Sequence, residues 1–194
     1  MPSDVKRCPW CGADPLYVQY HDEEWGVPSF DDRHLFEMIC LEGQQAGLSW
    51  ITVLKKRAAY RQAFFNFDIR KVAKMSDADL QALLQNPGLI RHIGKLTAAR
   101  DNAIATLAVQ QEFGSLANYL WAFVDHRPVV NKFSSYREAP AATPLSERIS
   151  RDMKKRGFRF IGSTTTYAFL QSVGMVNDHE TGCFRYSALK KGKA

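Results

Sequence analysis

The chain has 194 residues, 45% of them hydrophobic and 24% charged, which is enough for one sizeable core and too little for several independent domains. No apolar run approaches the length of a membrane span, and "MPSDVKRC" lacks the apolar region of a secretory leader, so a cytoplasmic protein with reduced thiols is expected. A net charge of +6 favours a polyanionic partner without requiring one, and it is gathered in "KKR" at 55–57, "RHIGK" at 91–95 and "KKRGFR" at 154–159.

In chain order, "FDDRHLFEMICLEG" opens on aspartates suited to capping and predicts a helix running to Gly43. "LSWITVLKKRAAYRQAFF" places Trp50, Val53, Leu54 and Arg57 on one helical face, so two helices meet around residues 43–47. "FDIRKVAKM" and "SDADLQALLQ" read as short helices, the second with Ser76 and Asp79 spaced as a capping box, and "NPG" forces a turn. "GKLTAARDNAIATLAVQQEF" continues as a helix to Gly114, and "SLANYLWAFV" starts another from Ser115. Residues 125–142 lose the helical period and read as a connecting segment. Thr143 and Pro144 restart a helix as cap and first position, to stop at Gly157, and "STTTYAFLQSVG" forms one more before a loop through "NDHETGCFRY". Strand character is confined to pieces such as "FRFIG", so the expected fold class is all-α.

Two groups of residues suggest chemistry. Cys8, Cys11, His21, His179 and Cys183 offer thiolates and imidazoles from both ends of the chain, five candidates for the four places of a tetrahedral zinc site. A full set of protein ligands leaves no open position for water, which predicts a structural ion rather than a catalytic one. The second signal is Glu42. In a helix it follows Leu35, Met38 and Ile39 at i+7, i+4 and i+3, so a carboxylate shares their apolar face. A cap for the neighbouring helix and a charge placed for a ligand explain it equally well.

The segments "DPLYVQYHDEEWGVP", "LFEMICLEGQQAGLSWITVLKKR", "RHIGK", "KKRGFRFIGSTTTYAFLQSVGMVNDH" and the terminal "GC" resemble the constitutive bacterial 3-methyladenine DNA glycosylase I family, nearly end to end. That resemblance implies a two-lobed, all-helical helix-hairpin-helix glycosylase in which zinc ties the chain ends together. The whole chain would then be one glycosylase unit, with the hairpin lobe at about 30–125 and a second lobe built from the N-terminal segment and about 126–194. The implied ligands are Cys8, His21, His179 and Cys183, with Cys11 the alternative to Cys8. The resemblance also moves Tyr20, Trp50, Tyr17 and Trp25 into a pocket for an extruded base.

Such an enzyme flips its target out of the duplex and holds it by stacking and edge hydrogen bonds. Adenine methylated at N3 is cationic while bound to its sugar, and Glu42 on an apolar face is suited to attract it over neutral adenine. "LLQNPGLIRHIGKLTAAR" has the form of the hairpin, with Gly88, Arg91 and Lys95 as candidate phosphate contacts. Leu48, with Gln45 beside it, is the candidate wedge for the vacated stack. Asp101 stands too close behind the hairpin to stabilise a sugar cation, and Asp125 is better read as a cap or loop residue. No lysine stands out as a Schiff-base nucleophile, so simple hydrolysis without strand cleavage is expected. The expected partners are double-stranded DNA carrying alkylated bases and free 3-methyladenine as product, with no membrane and a monomeric protein. The competing reading is a non-enzymatic zinc-stabilised DNA-binding module, and a metal-dependent hydrolase is a third.

Overall fold

The computed structural model describes residues 5–190, which form ten α-helices around one contiguous apolar core. The first is α1 (Pro15–Glu23), where Pro15 supplies a preset φ and Asp14 accepts from the Leu16 N–H at 3.0 Å. It is followed by α2 (Asp32–Gln45), α3 (Trp50–Ala63), α4 (Ile69–Val72), α5 (Asp77–Ala82) and α6 (Ile93–Phe113). The chain continues through α7 (Leu116–Trp121), α8 (Pro144–Lys155), α9 (Ser163–Ser172) and α10 (Phe184–Lys190). No described helix is long and apolar enough to cross a membrane.

The centre of the molecule is α2. Helices α3, α6, α7 and α9 all pack on it, and every residue from 35 to 44 is buried. Its two opening aspartates do different work. Asp31 accepts from the His34 N–H at 2.7 Å and caps α2, whereas Asp32 accepts from the Leu116 and Ala117 N–H groups and so caps α7. The helix passes through Gly43 instead of ending there. A Cβ on Gly43 would lie 3.2 Å from the Cβ of Phe160, so this glycine serves the close approach of the 158–161 segment rather than a C-cap.

The capping boxes at Ser76–Asp79 and Thr143–Ser146 form, with Pro144 in the first turn of α8. The expected strand in "FRFIG" does not: Phe160 has φ +55°, incompatible with extended pairing. Strand pairing occurs instead inside the connecting segment, where β1 (Val129–Val130) runs parallel to β2 (Val176–Asn177). The pairing is only two residues long, too short to produce a visible alternation in sequence. It nonetheless joins the segment after α7 to the chain leading into α10.

Candidate functional site

Two buried carboxylates on α2 have opposite surroundings. Arg57 Nε and Arg61 Nε donate to Glu37 Oε1 at 2.8 and 2.7 Å, and Arg57 Nη1 reaches on to Glu24 Oε2 at 2.7 Å. Burial alone would raise both carboxyls; hydrogen bonds from Arg57 and Arg61 to Glu37, and from His34 and Arg57 to Glu24, outweigh it. Glu37 is held below its ordinary range and Glu24 at about 2. An open groove of about 750 Å³ between α1 and α3 is bordered by Glu24, Arg57 and Arg61, whose charges already satisfy one another. Glu42 is different. It is 5% exposed, makes no ion pair among the described residues, and its Oε2 has no hydrogen-bond partner there. Burial pushes its carboxyl up to about 8; the Ser172 hydroxyl opposes that rise but directs its hydrogen to the Phe169 carbonyl at 2.8 Å.

Glu42 borders a cavity of about 210 Å³, large enough to admit a purine ring. Tyr20 and Trp50 form one part of the wall, their ring centroids 5.5 Å apart, and the Trp50 Nε1 is buried without a partner among the described residues. Trp10, Tyr17 and Trp25 form another, with Trp10 centred 5.1 Å from Tyr17 and 4.8 Å from Trp25. The structure thus brings together all five pocket residues expected from sequence, Glu42, Tyr17, Tyr20, Trp25 and Trp50. Gln45 also lines this cavity, so its side chain stands at the pocket as well as beside the exposed loop.

Behind the aromatic wall lies a cluster of donors. Cys8 Sγ, His21 Nε2 and Cys183 Sγ lie within 4.8 Å of one another, all buried. His21 Nδ1 is 2.8 Å from Asp22 Oδ1, which turns Nε2 towards the thiols, where it accepts from the Cys8 N–H at 3.4 Å and lies 3.5 Å from Cys183 Sγ. His179, the fourth expected ligand, is not part of that cluster: its ring centres 5.1 Å from that of His21, its Nδ1 is 3.1 Å from Asn177 Oδ1, and its buried Nε2 has no partner among the described residues. Burial pulls the His179 imidazole down to about 3, so it stays in the neutral form that ligates metals. Cys11 Sγ donates to the Cys8 carbonyl at 3.2 Å and stands outside the cluster. Trp10 and Trp25 pack edge-on against these histidines, at 5.2 Å from His21 and 4.5 Å from His179 respectively.

The hairpin region departs from expectation at two residues. Lys95 is 7% exposed, and its ammonium donates to the carbonyls of Gln44 and Ala46 at 2.8 and 2.7 Å, closing the end of α2 instead of waiting for a phosphate. The Gly88 N–H already donates to Asn86 Oδ1 at 2.8 Å, and a Cβ there would lie 2.8 Å from the Ala59 Cβ, so Gly88 lets the turn pack against α3. Arg91 is exposed just before the α6 N-terminus, as a phosphate contact requires. Leu48 is 42% exposed on the loop between α2 and α3. Asp125 is exposed in a left-handed turn and Asp101 pairs with Arg159 at 2.7 Å; neither lines the cavity.

The family described as methyladenine glycosylase matches residues 10–186. The chain belongs to that family. Among curated relatives it is 54% identical to the DNA-3-methyladenine glycosylase of Haemophilus influenzae, over 91% of this chain and 96% of that one. It is 50% identical to DNA-3-methyladenine glycosylase 1 of Escherichia coli K12, over 96% and 100%. A solved Staphylococcus aureus 3-methyladenine DNA glycosylase I, described for its recognition of 3-methyladenine, superposes with TM-score 0.91 at 34% identity, covering 98% of both chains.

Within this methyladenine glycosylase, Tyr136, Ala139, Ala168, Gln171 and Asp178 also line the cavity, although the sequence does not single them out. Asp178 is 3% exposed and accepts from Asn131 Nδ2 at 2.7 Å, Gln171 Nε2 at 2.8 Å and the Tyr167 hydroxyl. Tyr136 comes from the connecting segment that seemed featureless. The one local sign was "SSYRE", where Ser135 and Glu138 have capping-box spacing and form that box around the single turn Tyr136–Glu138.

Proposed function

We propose that this protein is a base-excision repair enzyme that releases 3-methyladenine from alkylated double-stranded DNA by hydrolysing the N-glycosidic bond. The observation that carries this reading is an uncompensated buried carboxylate, Glu42, at an aromatic cavity in a member of the methyladenine glycosylase family. Adenine methylated at N3 bears a delocalised positive charge while bound to deoxyribose. When the bond breaks, its electron pair stays on the ring, the base departs neutral, and water gives hydroxide to C1′ and a proton to the medium. Leaving-group protonation is therefore dispensable, and the task of the pocket is to recognise the cation.

Glu42 suits that task because its ionisation and the ligand's charge reinforce each other. With no cation nearby it is protonated at neutral pH, its carboxyl held at about 8. A cationic purine stacked against Tyr20 and Trp50 favours the carboxylate, and the carboxylate in turn favours the cation. Neutral adenine supplies no such charge, and the low dielectric of the cavity enlarges the difference.

Cys8, His21, His179 and Cys183 have the donor chemistry to hold a structural zinc ion. The orphaned His179 Nε2 and the inward-facing His21 Nε2 support that set, and the bond of Cys11 to the Cys8 carbonyl supports Cys8 as the first thiolate. The ion would bind the N-terminal segment to the chain entering α10, and through Trp10 and Trp25 it would stiffen the pocket wall. Arg91 and the α6 N-terminus supply a phosphate contact, and Leu48 with Gln45 fills the stack left by the flipped base.

The deciding experiment incubates the protein with methylated DNA and identifies the released bases by chromatography, with Glu42→Gln alongside. Release of 3-methyladenine but not 7-methylguanine, reduced in the variant, is the expected result. If no base is released, the fold is a zinc-stabilised DNA-binding module instead.

A further inference from the structure

Resting on the glycosylase reading, we propose that Tyr136 is a base-contacting residue at the mouth of the pocket, its ring stacking on the purine as it enters. Three observations meet at this residue. Tyr136 lines the same cavity as Glu42 and Trp50, yet it is 39% exposed, so it stands where the cavity opens to solvent. Other aromatic rings of the wall face one another, Trp10 against Tyr17 and Tyr20 against Trp50, whereas the ring of Tyr136 meets no aromatic ring among the described residues. The Arg137 guanidinium stands over the ring at 6.0 Å from its centroid, and no second ring among the described residues competes for a planar guest. A large ring half in water at a cavity edge is a cost to an isolated protein and an asset to one that stacks a planar guest.

The third observation is how firmly the backbone beneath this ring is held. The Tyr136 N–H donates to Glu180 Oε1 at 2.9 Å, and Glu180 is only 4% exposed. The Thr181 N–H donates to the Phe133 carbonyl at 2.8 Å, and β1 joins β2 just before. Glu138 closes the turn from the other side through the capping box with Ser135. A solvent-facing loop with no task seldom needs a buried carboxylate to fix one of its N–H groups. Here that carboxylate sits between His179 and Cys183, so the segment carrying the donor cluster also sets the height of the ring over the cavity.

The test uses full-length Tyr136→Phe, which keeps the ring, and Tyr136→Leu, which keeps apolar bulk without it. Binding of free 3-methyladenine is followed by tryptophan fluorescence, and excision by steady-state kinetics on methylated DNA. Expected is a ten- to hundredfold weaker affinity for the base in Tyr136→Leu, the range found when a stacked ring is removed. KM should rise by more than kcat falls, Tyr136→Phe should stay near wild type, and affinity for undamaged DNA should not change. Equal binding by Tyr136→Leu and wild type overturns the assignment, as does equal loss in both variants, which would place the effect on the hydroxyl. Failure of the wild type itself to bind or release 3-methyladenine would overturn the glycosylase reading instead.

Discussion

Glu37 and Glu42 share the buried span of α2, and of the two only Glu37 is paired with Arg57 and Arg61. The contrast sets a carboxylate that belongs to the scaffold apart from the one proposed to meet the base. A buried anion enclosed by two guanidinium groups is part of the scaffold, while one left with an unpartnered oxygen beside a cavity is a cost that the fold alone does not repay.

Glu42 makes stability depend on pH in a particular direction. In the unfolded chain its carboxyl loses its proton near the ordinary value of 4.5, and in the folded protein at about 8. Between these values the folded state holds the extra proton, so this group's contribution falls as pH rises, by up to about 1.4 kcal/mol per pH unit, and the loss is complete above about 8. Glu42→Gln has no such group. Urea melts at pH 5, 6.5 and 8 should show the variant gaining steadily on wild type, and a constant difference would sink the assignment.

The same titration governs activity with the opposite sign. If the carboxylate is the competent form, kcat/KM for methylated DNA rises with pH towards a plateau above about 8, reporting the free enzyme. Glu42→Gln should be slower and lack that limb.

The two arginines on α3 should differ sharply. Arg57 has a side chain 10% exposed that bridges Glu24 and Glu37, whereas that of Arg61 is 46% exposed. Arg57→Ala leaves buried charge uncompensated and should cost about 3–5 kcal/mol. Arg61→Ala should cost roughly 1 kcal/mol or less. Denaturant midpoints of the two variants would measure this directly.

Metal content separates the cysteines. Cys8→Ser and Cys183→Ser should lose bound zinc and melt at lower temperature, whereas Cys11→Ser, whose thiol only donates to the Cys8 carbonyl, should keep the metal. Chelation of wild type should lower its melting temperature; activity lost with folding intact would point to a catalytic ion instead.

At the DNA face, Arg91→Ala should reduce the slope of log affinity against log salt by about one, as removal of a single phosphate contact does. Lys95→Met should leave that slope alone and lower stability. Leu48→Ala should weaken binding to the damaged site and slow single-turnover excision by about tenfold.

Much of this architecture was legible in the chain because its signals are local. Ser76–Asp79 and Thr143–Pro144 announce helix starts by rules that act within one turn, and the donor residues at the two ends are rare types with limited uses. Glu42 stood out for the same reason, although the apolar face it was placed on proved to be a helix buried on all sides. What stayed hidden depends on distant partners. Nothing near Lys95 in sequence says that its ammonium will meet carbonyls about 50 residues away, and nothing near Gly88 reveals Ala59. Tyr136 and Asp178 lie in segments without helical period, and only the return of the chain past β2 brings them to the cavity.

The grip of Lys95 on the end of α2 also bears on how the protein meets a duplex. Because the start of α6 and the helix bearing Glu42 are joined by two hydrogen bonds from one ammonium, the end proposed to hold the strand and the end proposed to receive the base form a single stiff strut. Such a strut works as a caliper: once a phosphate is seated at one tip, the distance to the other is set. The bending needed to close that gap then falls on the nucleic acid, and a weakened, alkylated step yields sooner than an intact one.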